Sequence, residues 1–300
     1  MALLLCSLLL SSYSMANIEY QDPITLLDGK TKQLQSYLGE KPVYLKFWAS
    51  WCKPCMQQMP HLQHTYEQYA DHIEIISVNI NINETRADIQ QVIEKFGLTV
   101  PIALDNDGAL AKAFQFIGTP YHILLDKAGN VVHKGHDSTA ELDRKIALLA
   151  SQNSGELIPI TLTDNMGQQT SLDNLQATDG IVFFSATWCD WYLADTRPKM
   201  AKACSDGQLA INKLQQSLPQ LHWYGVVSHL WTESKDVAEY VQKFDIAYPV
   251  AVDHNGDSFF THGIRSMPTL IIFKDGNAVF RTADMDDISA IDAAIKQWLM

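Results

Sequence analysis

The sequence has few cysteines, few basic residues and no long hydrophobic segment. Its 300 residues contain 5 cysteines, too few for a scaffold built from disulfides, so the chain must fold on hydrophobic cores. Lys and Arg total 22 against 34 Asp and Glu, and no basic run occurs, which argues against nucleic acid and anionic membrane surfaces as partners. No apolar segment reaches the roughly 20 residues that a membrane-spanning helix needs. We therefore expect no stable membrane insertion of the mature chain.

A short apolar run stands near the start of the sequence, in residues 3–10. It is followed by Ser14-Met15-Ala16, which offers small residues at the two positions that a signal peptidase reads. Residues 1–16 are therefore predicted to be a signal peptide, and the mature protein is expected in an oxidising compartment, most simply a bacterial periplasm. No Lys or Arg precedes the run, which departs from the pattern. A frayed apolar terminus of a cytosolic protein is the alternative.

The segment FWASWCKPC, residues 47–55, contains the only C-x-x-C pair of the chain. An apolar strand pattern precedes it and a helical pattern follows, so Cys52 is expected at a helix N-terminus, where free N–H groups and the helix dipole favour a thiolate. Pro54 suits the first helical turn. Haem attachment would need His where Met56 stands, and a structural zinc site would need a second ligand pair. The pattern therefore favours a redox-active dithiol.

These features resemble the thioredoxin superfamily: the strand, the W-C-x-P-C motif, a helix containing Pro60, and the later segment Gly118-Thr119-Pro120. The predicted strand and short helix before residue 43 are similar to an extension of the TlpA-like and ResA-like extracytoplasmic thiol-disulfide oxidoreductases. The resemblance implies an α/β fold, a cis-proline at Pro120 and protein thiols or disulfides as substrates. It implies no cofactor, and it implies recharging by a membrane electron donor of the thiol-disulfide interchange type.

The resemblance also assigns roles to individual residues. Cys52 is expected to face solvent and to attack the substrate, and Cys55, one turn inside the helix, to resolve the mixed disulfide. Thr119 and Pro120 are expected to pack over the pair, with the Thr119 backbone available to a substrate strand. Trp51, like Trp48 before it, either shields the site or simply packs.

At two positions the residue differs from the one that these relatives carry. Lys46 stands six residues before Cys52, where thioredoxin has a buried acid, and it either stabilises a thiolate or points to solvent. Gln58 stands where TlpA-like proteins often carry Glu. An acid that could relay protons is thus missing, and water could do that work.

An internal repeat divides the chain into two similar halves. Residues 101–105 (PIALD) recur as residues 249–253 (PVAVD), and Pro120 recurs as Pro268, both with an offset of 148 (249 − 101 and 268 − 120). We predict two tandem thioredoxin-like domains, residues 17–150 and 157–300, each a central mixed β-sheet flanked by helices and each with a cis-proline. The Ser/Gln/Asn/Gly stretch of residues 151–156 is predicted to be the linker.

Local patterns predict several elements within the domains. Residues 85–96 have helical spacing and Gly97 is the expected stop, residues 127–130 form a hairpin turn, and residues 141–149 and 288–299 are amphipathic helices.

The second domain alters the site. Cys189 stands at the first-cysteine position and Tyr192 replaces the second cysteine. Cys204 is the remaining partner, but fifteen residues of uninterrupted helix would separate the two by about 22 Å, too far for a disulfide. The segment DTRP, residues 195–198, offers an N-cap-like Asp or Thr followed by a helix-breaking proline. We predict a helix break at Arg197 and a Cys189–Cys204 disulfide.

Three interpretations of this second site stay open. Cys189, Cys204 and Pro268 form a second redox centre that Cys52 and Cys55 could reduce, or Cys189 acts alone as a peroxidatic thiol. Alternatively, the second domain is a degenerate copy that serves as a docking or structural module.

The functional hypothesis is a periplasmic thiol-disulfide oxidoreductase that acts as a reductase at Cys52 and Cys55. A copper(I)-handling module is the alternative from another class, because soft and imidazole side chains follow the dithiol. Methionine at helical spacing is more often core filler. The side chains in question are Met56, Met59, His61 and His64.

Overall fold

The computed structural model describes residues 23–155, 158–171 and 178–300. The chain divides into two compact units, Met1–Glu156 and Leu157–Met300, here the first and second domains. The predicted signal peptide lies outside the described residues. Within the described ranges, no helix combines the length and the hydropathy that a membrane crossing requires.

The first domain is built on a five-stranded mixed sheet. Its strand order is β5-β4-β3-β6-β7, with β3, β4 and β5 parallel and with β6 and β7 antiparallel to their neighbours. All six residues of β3 are buried, because helices cover both faces of the sheet. The elements are β1 (Ile24–Thr25), β2 (Thr31–Lys32), a 3-10 helix (Leu34–Tyr37), β3 (Val43–Trp48), α1 (Lys53–Tyr69), β4 (Glu74–Asn79), α2 (Arg86–Phe96), β5 (Ile102–Leu104), α3 (Ala109–Ala113), β6 (Tyr121–Leu125), β7 (Val131–Gly135) and α4 (Ala140–Ser154).

The second domain repeats this architecture. Its sheet has the order β12-β11-β10-β13-β14 with the same parallel and antiparallel pairings, and β10 is buried throughout. The prediction of two thioredoxin-like α/β domains with mixed sheets is confirmed. The elements are β8 (Thr161–Thr163), β9 (Gln169–Ser171), β10 (Gly180–Ser185), α5 (Cys189–Tyr192), α6 (Pro198–Ser217), β11 (His222–Ser228), α7 (Ser234–Phe244), β12 (Val250–Asp253), α8 (Asp257–Thr261), β13 (Thr269–Lys274), β14 (Asn277–Thr282) and α9 (Ile288–Leu299).

Helix ends follow local sequence signals in most places. Thr85 caps α2, with its side chain accepting from the Asp88 backbone and the Asp88 carboxylate accepting in return, and Gly97 ends the helix in the left-handed conformation. The prediction for residues 85–96 is therefore confirmed within one residue, and that for residues 288–299 matches α9.

The predicted linker is wrong over residues 151–154. Helix α4 continues through Ser154, and Gly155 ends it in the left-handed conformation. The polar side chains that suggested a linker have partners in the domain: Ser151 Oγ donates to Leu148 O, and Asn153 Nδ2 donates to His72 O. A local bond within the helix and one tertiary contact thus stabilise a helical turn whose composition favours a loop.

Candidate functional site: two cysteine pairs at the ends of the central strands

The first cysteine pair lies where the central strand ends. The buried strand β3 finishes at Trp48, a short turn follows, and Cys52 is the N-cap residue of α1. Cys52 N donates to Ala49 O at 3.1 Å, and Cys52 Sγ accepts from Cys55 N at 3.2 Å. Pro54 is in the first helical turn, where its missing N–H is not needed. The strand and the helix together hold the two sulfurs at the helix N-terminus, as the sequence predicts.

Cys52 and Cys55 form a disulfide with Cα atoms 5.2 Å apart. Cys52 is 5% exposed and Cys55 is 0% exposed. The expectation that Cys52 faces solvent is therefore wrong as a description of this oxidised state. Cys52 is still the more accessible sulfur-bearing residue of the two, which agrees with its expected role as the attacking thiol.

Residues Thr119 and Pro120 approach the same end of β3. Their peptide bond is cis, as predicted. Strand β6 begins at Tyr121, which pairs with Phe47 of β3, so Pro120 lies at the strand end from which the dithiol turn departs. Thr119 precedes the paired residues of β6, and its backbone lies outside the ladder between β3 and β6.

Lys46 is a fully buried lysine in the centre of the sheet. Its exposure is 0%, so the alternative that it points to solvent is wrong. Its ammonium nitrogen donates to Gln58 O at 3.1 Å, on the helix that carries the dithiol. Burial without a carboxylate partner lowers the Lys46 pKa to about 7. Near neutral pH this amine therefore exists in both protonation states.

Gln58 connects the dithiol helix to the cis-proline segment. Its side-chain Oε1 lies 3.0 Å from His122 Nε2, and its Nε2 donates to His136 O at 3.1 Å. His136 Nδ1 in turn donates to Pro120 O at 2.7 Å. A continuous chain of hydrogen bonds thus runs from Lys46 through Gln58 and His136 to Pro120. Gln58 stands where related proteins often carry an acid. It links these residues by hydrogen bonds and carries no charge.

His122 is the buried histidine of this network. Because Gln58 Oε1 accepts, His122 Nε2 carries the proton, and Tyr44 Oη donates to His122 Nδ1 at 2.6 Å. Burial lowers the His122 pKa to about 3, and the nearby Lys46 charge adds to the effect. His122 therefore stays neutral at physiological pH. The sequence signal for it is weak: one histidine in the apolar strand YHILL, in register with Lys46.

The tryptophans around the dithiol have different positions. Trp48 is completely buried and belongs to the core, so it does not shield the site from solvent. Trp51 is exposed, and its indole donates to Ile82 O at 2.8 Å. Ile82 and Ile117 are also exposed. Trp51 therefore presents an apolar surface beside Cys52.

Three of the four side chains in the copper hypothesis are buried in the core, exposed or paired elsewhere. Met59 is fully buried in the core, His64 lies on an exposed face of α1, and His61 Nε2 pairs with Asp143 Oδ1 at 2.7 Å. Within the residues that the structure describes, no group of three or more His, Cys, Asp or Glu side chains is arranged to hold a metal ion. Nothing in the geometry favours copper over dithiol exchange.

The second cysteine pair lies at the corresponding place in the second domain. The structure joins Cys189 and Cys204 by a disulfide, with Cα atoms 6.0 Å apart, as the sequence predicts. Helix α5 ends at Tyr192 and α6 starts at Pro198. The predicted break is therefore present and brings Cys204 back to Cys189.

The capping of α6 differs from the prediction. Arg197 is the N-cap residue and makes no side-chain capping bond, so neither Asp195 nor Thr196 caps the helix. Pro198 alone marks the helix start, because proline fits the first helical position but not the interior. The peptide bond Met267–Pro268 is cis, as predicted, and Met267 packs against the cluster that contains both cysteines.

Comparison with known proteins places the first cysteine pair in a recognised context. A model of the family described as Redoxin matches residues 16–147, which include Cys52 and Cys55 and end before the second domain. The thiol-disulfide oxidoreductase ResA of Bacillus thuringiensis is 33% identical over 123 residues, 40% of this chain and 69% of that protein. The thioredoxin-like protein YneN of Bacillus subtilis is 33% identical over 125 residues, 41% of this chain and 72% of that protein. A solved structure, StoA from Bacillus subtilis, is similar over 42% of this chain and 95% of that chain, with 27% identity and a TM-score of 0.38.

Proposed function

The chain belongs to the ResA-like thiol-disulfide oxidoreductases of the thioredoxin superfamily, and from that premise we propose that Cys52 and Cys55 carry out dithiol–disulfide exchange with protein substrates. The observation that carries the proposal is the pair itself, joined at the N-terminus of α1 with Cα atoms 5.2 Å apart. The free N–H groups and the dipole of this 17-residue helix favour a thiolate at Cys52.

The reaction follows from the positions of the two sulfurs. In the reduced protein, the Cys52 thiolate attacks one sulfur of a substrate disulfide, that S–S bond breaks, and a mixed disulfide forms. The Cys55 thiolate then attacks the Cys52 sulfur, and the substrate leaves as a dithiol after taking up two protons. Two electrons pass to the substrate, and the protein is left with the Cys52–Cys55 disulfide seen here.

Trapping experiments test the two roles. We expect Cys52→Ser and Cys55→Ser each to abolish disulfide reduction in an insulin assay. Cys55→Ser should accumulate the mixed disulfide, because the attacking thiol remains and the resolving thiol is gone, whereas Cys52→Ser should not. Accumulation by Cys52→Ser instead would invert the assignment.

We propose that the direction in the cell is reduction, with recharging by a membrane electron donor of the thiol-disulfide interchange type. The support is the resemblance to the ResA-like proteins. The equilibrium of Cys52 and Cys55 with glutathione tests it, measured on the Cys189→Ser/Cys204→Ser variant so that one pair titrates. A potential near that of thioredoxin, about −270 mV, supports a reductase, and one near about −120 mV indicates an oxidant.

We also propose export to the periplasm. The support is the signal-peptide pattern of residues 1–16, with its apolar run and Ala16 at the cleavage position. Fractionation of cells that produce the chain tests this, together with the N-terminal sequence of the product. A product in the cytoplasm that still begins at Met1 would contradict it.

A further inference from the structure

We propose that the Cys189–Cys204 disulfide is a second thiol–disulfide exchange site, which accepts electrons from a protein dithiol that docks on an aromatic surface beside it. The aromatic surface consists of Trp191, Tyr192, Leu230 and Trp231. The proposal goes beyond the function proposed for Cys52 and Cys55 and concerns the second domain by itself.

The turn that carries Cys189 is built like the turn that carries Cys52. Each follows the buried central strand of its sheet, and each cysteine N–H closes the same turn: Cys189 N donates to Ala186 O at 3.2 Å, as Cys52 N does to Ala49 O at 3.1 Å. The second domain thus keeps the local backbone that presents an exchange cysteine.

A tryptophan hydrogen bond beside the cysteine is repeated as well. The indole of Trp188 donates to Leu230 O at 2.6 Å, and the indole of Trp51 donates to Ile82 O at 2.8 Å. Both acceptors lie in the loop after the neighbouring parallel strand, 148 residues apart (230 − 82). The hydrogen bond between the tryptophan before the cysteine and this loop is thus kept in both domains.

Cys204 supplies the second sulfur from a different element. Tyr192 occupies the sequence position of the second cysteine, but its side chain is exposed and leaves the interior position to Cys204, which comes from the second turn of α6. The second domain therefore still has a cysteine pair, with Cys189 on α5 and Cys204 on α6.

Burial does not mark this disulfide as structural. Cys189 and Cys204 are 1% and 3% exposed, and the exchange pair Cys52 and Cys55 is 5% and 0% exposed. Both pairs are buried in their oxidised states, so low exposure does not distinguish a structural disulfide from an exchange pair.

The aromatic surface distinguishes the second site from the first. Trp191, Tyr192 and Trp231 are 62%, 51% and 69% exposed, and Leu230 is 50% exposed. Their rings contact one another, with the Tyr192 and Trp231 centroids 5.1 Å apart and those of Trp191 and Tyr192 5.9 Å apart. Rigid exposed aromatic clusters are typical of protein interfaces.

The charges near Cys189 indicate which kind of surface the partner presents. Asp190, the acidic residue between Cys189 and Trp191, pairs with Lys243. The aromatic surface itself carries no charge. We therefore infer a partner whose reactive cysteine lies beside exposed apolar side chains, as Cys52 follows the exposed Trp51.

The chemistry balances as a two-electron exchange. A partner thiolate attacks the Cys189 sulfur, the Cys189–Cys204 bond breaks, and the Cys204 thiolate takes up a proton. The second partner thiolate then attacks the partner sulfur of the mixed disulfide, and Cys189 leaves and is protonated. The partner dithiol becomes a disulfide and the second domain becomes a dithiol. We assign the attacked sulfur to Cys189 because it occupies the turn position that Cys52 has in the first domain, and because the aromatic surface begins two residues after it.

The test uses the full-length Cys52→Ser/Cys55→Ser variant, so that Cys189–Cys204 is the only redox pair. It is oxidised, mixed under native conditions with a reduced single-domain thioredoxin or with dithiothreitol, and followed by counting newly alkylated thiols. We expect two new thiols per chain with either reductant. Reduction only after unfolding in urea would overturn the proposal and leave a structural disulfide. Because Cys52 and Cys55 are absent, this outcome is independent of the function proposed for the first domain.

Variants of the aromatic surface separate docking from chemistry. Trp191→Ser and Tyr192→Ser together should slow reduction by the thioredoxin at least tenfold and leave reduction by dithiothreitol within twofold. Met166→Ser is the matched control, an equally exposed apolar side chain on the turn between β8 and β9. Equal slowing with both reductants, or no slowing with either, would overturn the docking surface.

Discussion

A lysine buried in the central strand is the most unusual residue of the first domain. Lys46 donates to Gln58 O and pairs with no carboxylate among the described residues, so burial lowers its pKa to about 7. In the unfolded chain its pKa returns to about 10.4. Below pH 7 the lysine is charged in both states and the folded state carries the full cost of burying the charge. Between about pH 7 and 10 the unfolded state binds one more proton, so the free energy of unfolding rises with pH.

Replacement of Lys46 should therefore stabilise the first domain, and more so at lower pH. We expect Lys46→Met to raise the free energy of unfolding by on the order of 2–4 kcal/mol at pH 6 and by less at pH 9. Urea unfolding at the two pH values measures this, and Lys53→Met on the exposed start of α1 is the control. A variant that is less stable than the parent at pH 6 would show that the hydrogen bond to Gln58 outweighs the burial cost.

His122 should contribute to acid sensitivity. Its pKa is lowered to about 3, so between pH 6.5 and pH 3 the unfolded chain binds a proton that the folded domain does not. Stability contributed by neutral His122 is therefore present above pH 6.5 and is lost as pH falls toward 3, at about 1.4 kcal/mol per pH unit. We expect His122→Gln to remove that part of the slope, measured by urea unfolding between pH 6 and 4. The exposed His64→Gln is the control, and an unchanged slope in His122→Gln would contradict the assignment.

At the scale of elements, the ends of the helices are set either by residues close in sequence or by contacts with distant parts of the domain. Helix α2 is delimited by residues that contact it directly: Thr85 and Asp88 satisfy the first N–H groups, and Gly97 ends the last turn. Helix α4 is longer than its sequence pattern indicates, because Ser151 bonds back to Leu148 O within the helix and Asn153 finds a partner in His72 O of the folded domain. The break between α5 and α6 follows from Pro198, whereas the disulfide that crosses it depends on where α6 folds back.

The capping box of α2 gives a test at this scale. Thr85→Ala removes the acceptor for the Asp88 N–H and should lower the free energy of unfolding by about 1 kcal/mol. Thr85→Ser keeps an oxygen at the same place and should retain most of that stability. Thermal or urea unfolding measures both, and equal losses in the two variants would show that the methyl group matters and the cap does not.

At the scale of the whole molecule, the chain contains the same sheet twice. Each domain has its own five-stranded sheet, its own small hairpin and its own cysteine pair at the end of the central strand. The hairpin contacts are repeated too, with Leu26 bridging Ala103 and Asp164 bridging Ala251. Complete secondary structure and a separate core in each half are the requirements for independent folding.

We therefore expect a chain that ends after Gly155 to fold and to keep its disulfide reductase activity. Far-ultraviolet circular dichroism, a cooperative urea transition and the insulin assay measure this. The matched control is the full chain with Cys189→Ser and Cys204→Ser, which retains the second domain without its disulfide. A fragment that is unfolded while the control is active would show that the first domain depends on the second.

The features that depend on neighbouring residues could be predicted from sequence. They include the tandem repeat, the strand–turn–helix around Cys52, the cap and stop of α2, the break before Pro198 and both cis-prolines. Each rests on an apolar period, a capping residue or a proline whose effect acts over a few positions, or on the resemblance that those residues carry. The Cys189–Cys204 pairing was predictable because few cysteines are present, and the broken helix made it geometrically possible.

What only the tertiary structure decided is the environment of these residues. Lys46, Gln58, His122 and His136 are separated in sequence and meet because β3, α1, β6 and the segment after β7 converge at one end of the sheet. The environment of Lys46 follows from that convergence, and the extension of α4 through a polar segment depends on another distant contact, from Asn153 to His72 O. A pKa or an exposed fraction depends on atoms contributed by distant parts of the chain, and local sequence patterns carry no record of which atoms those are.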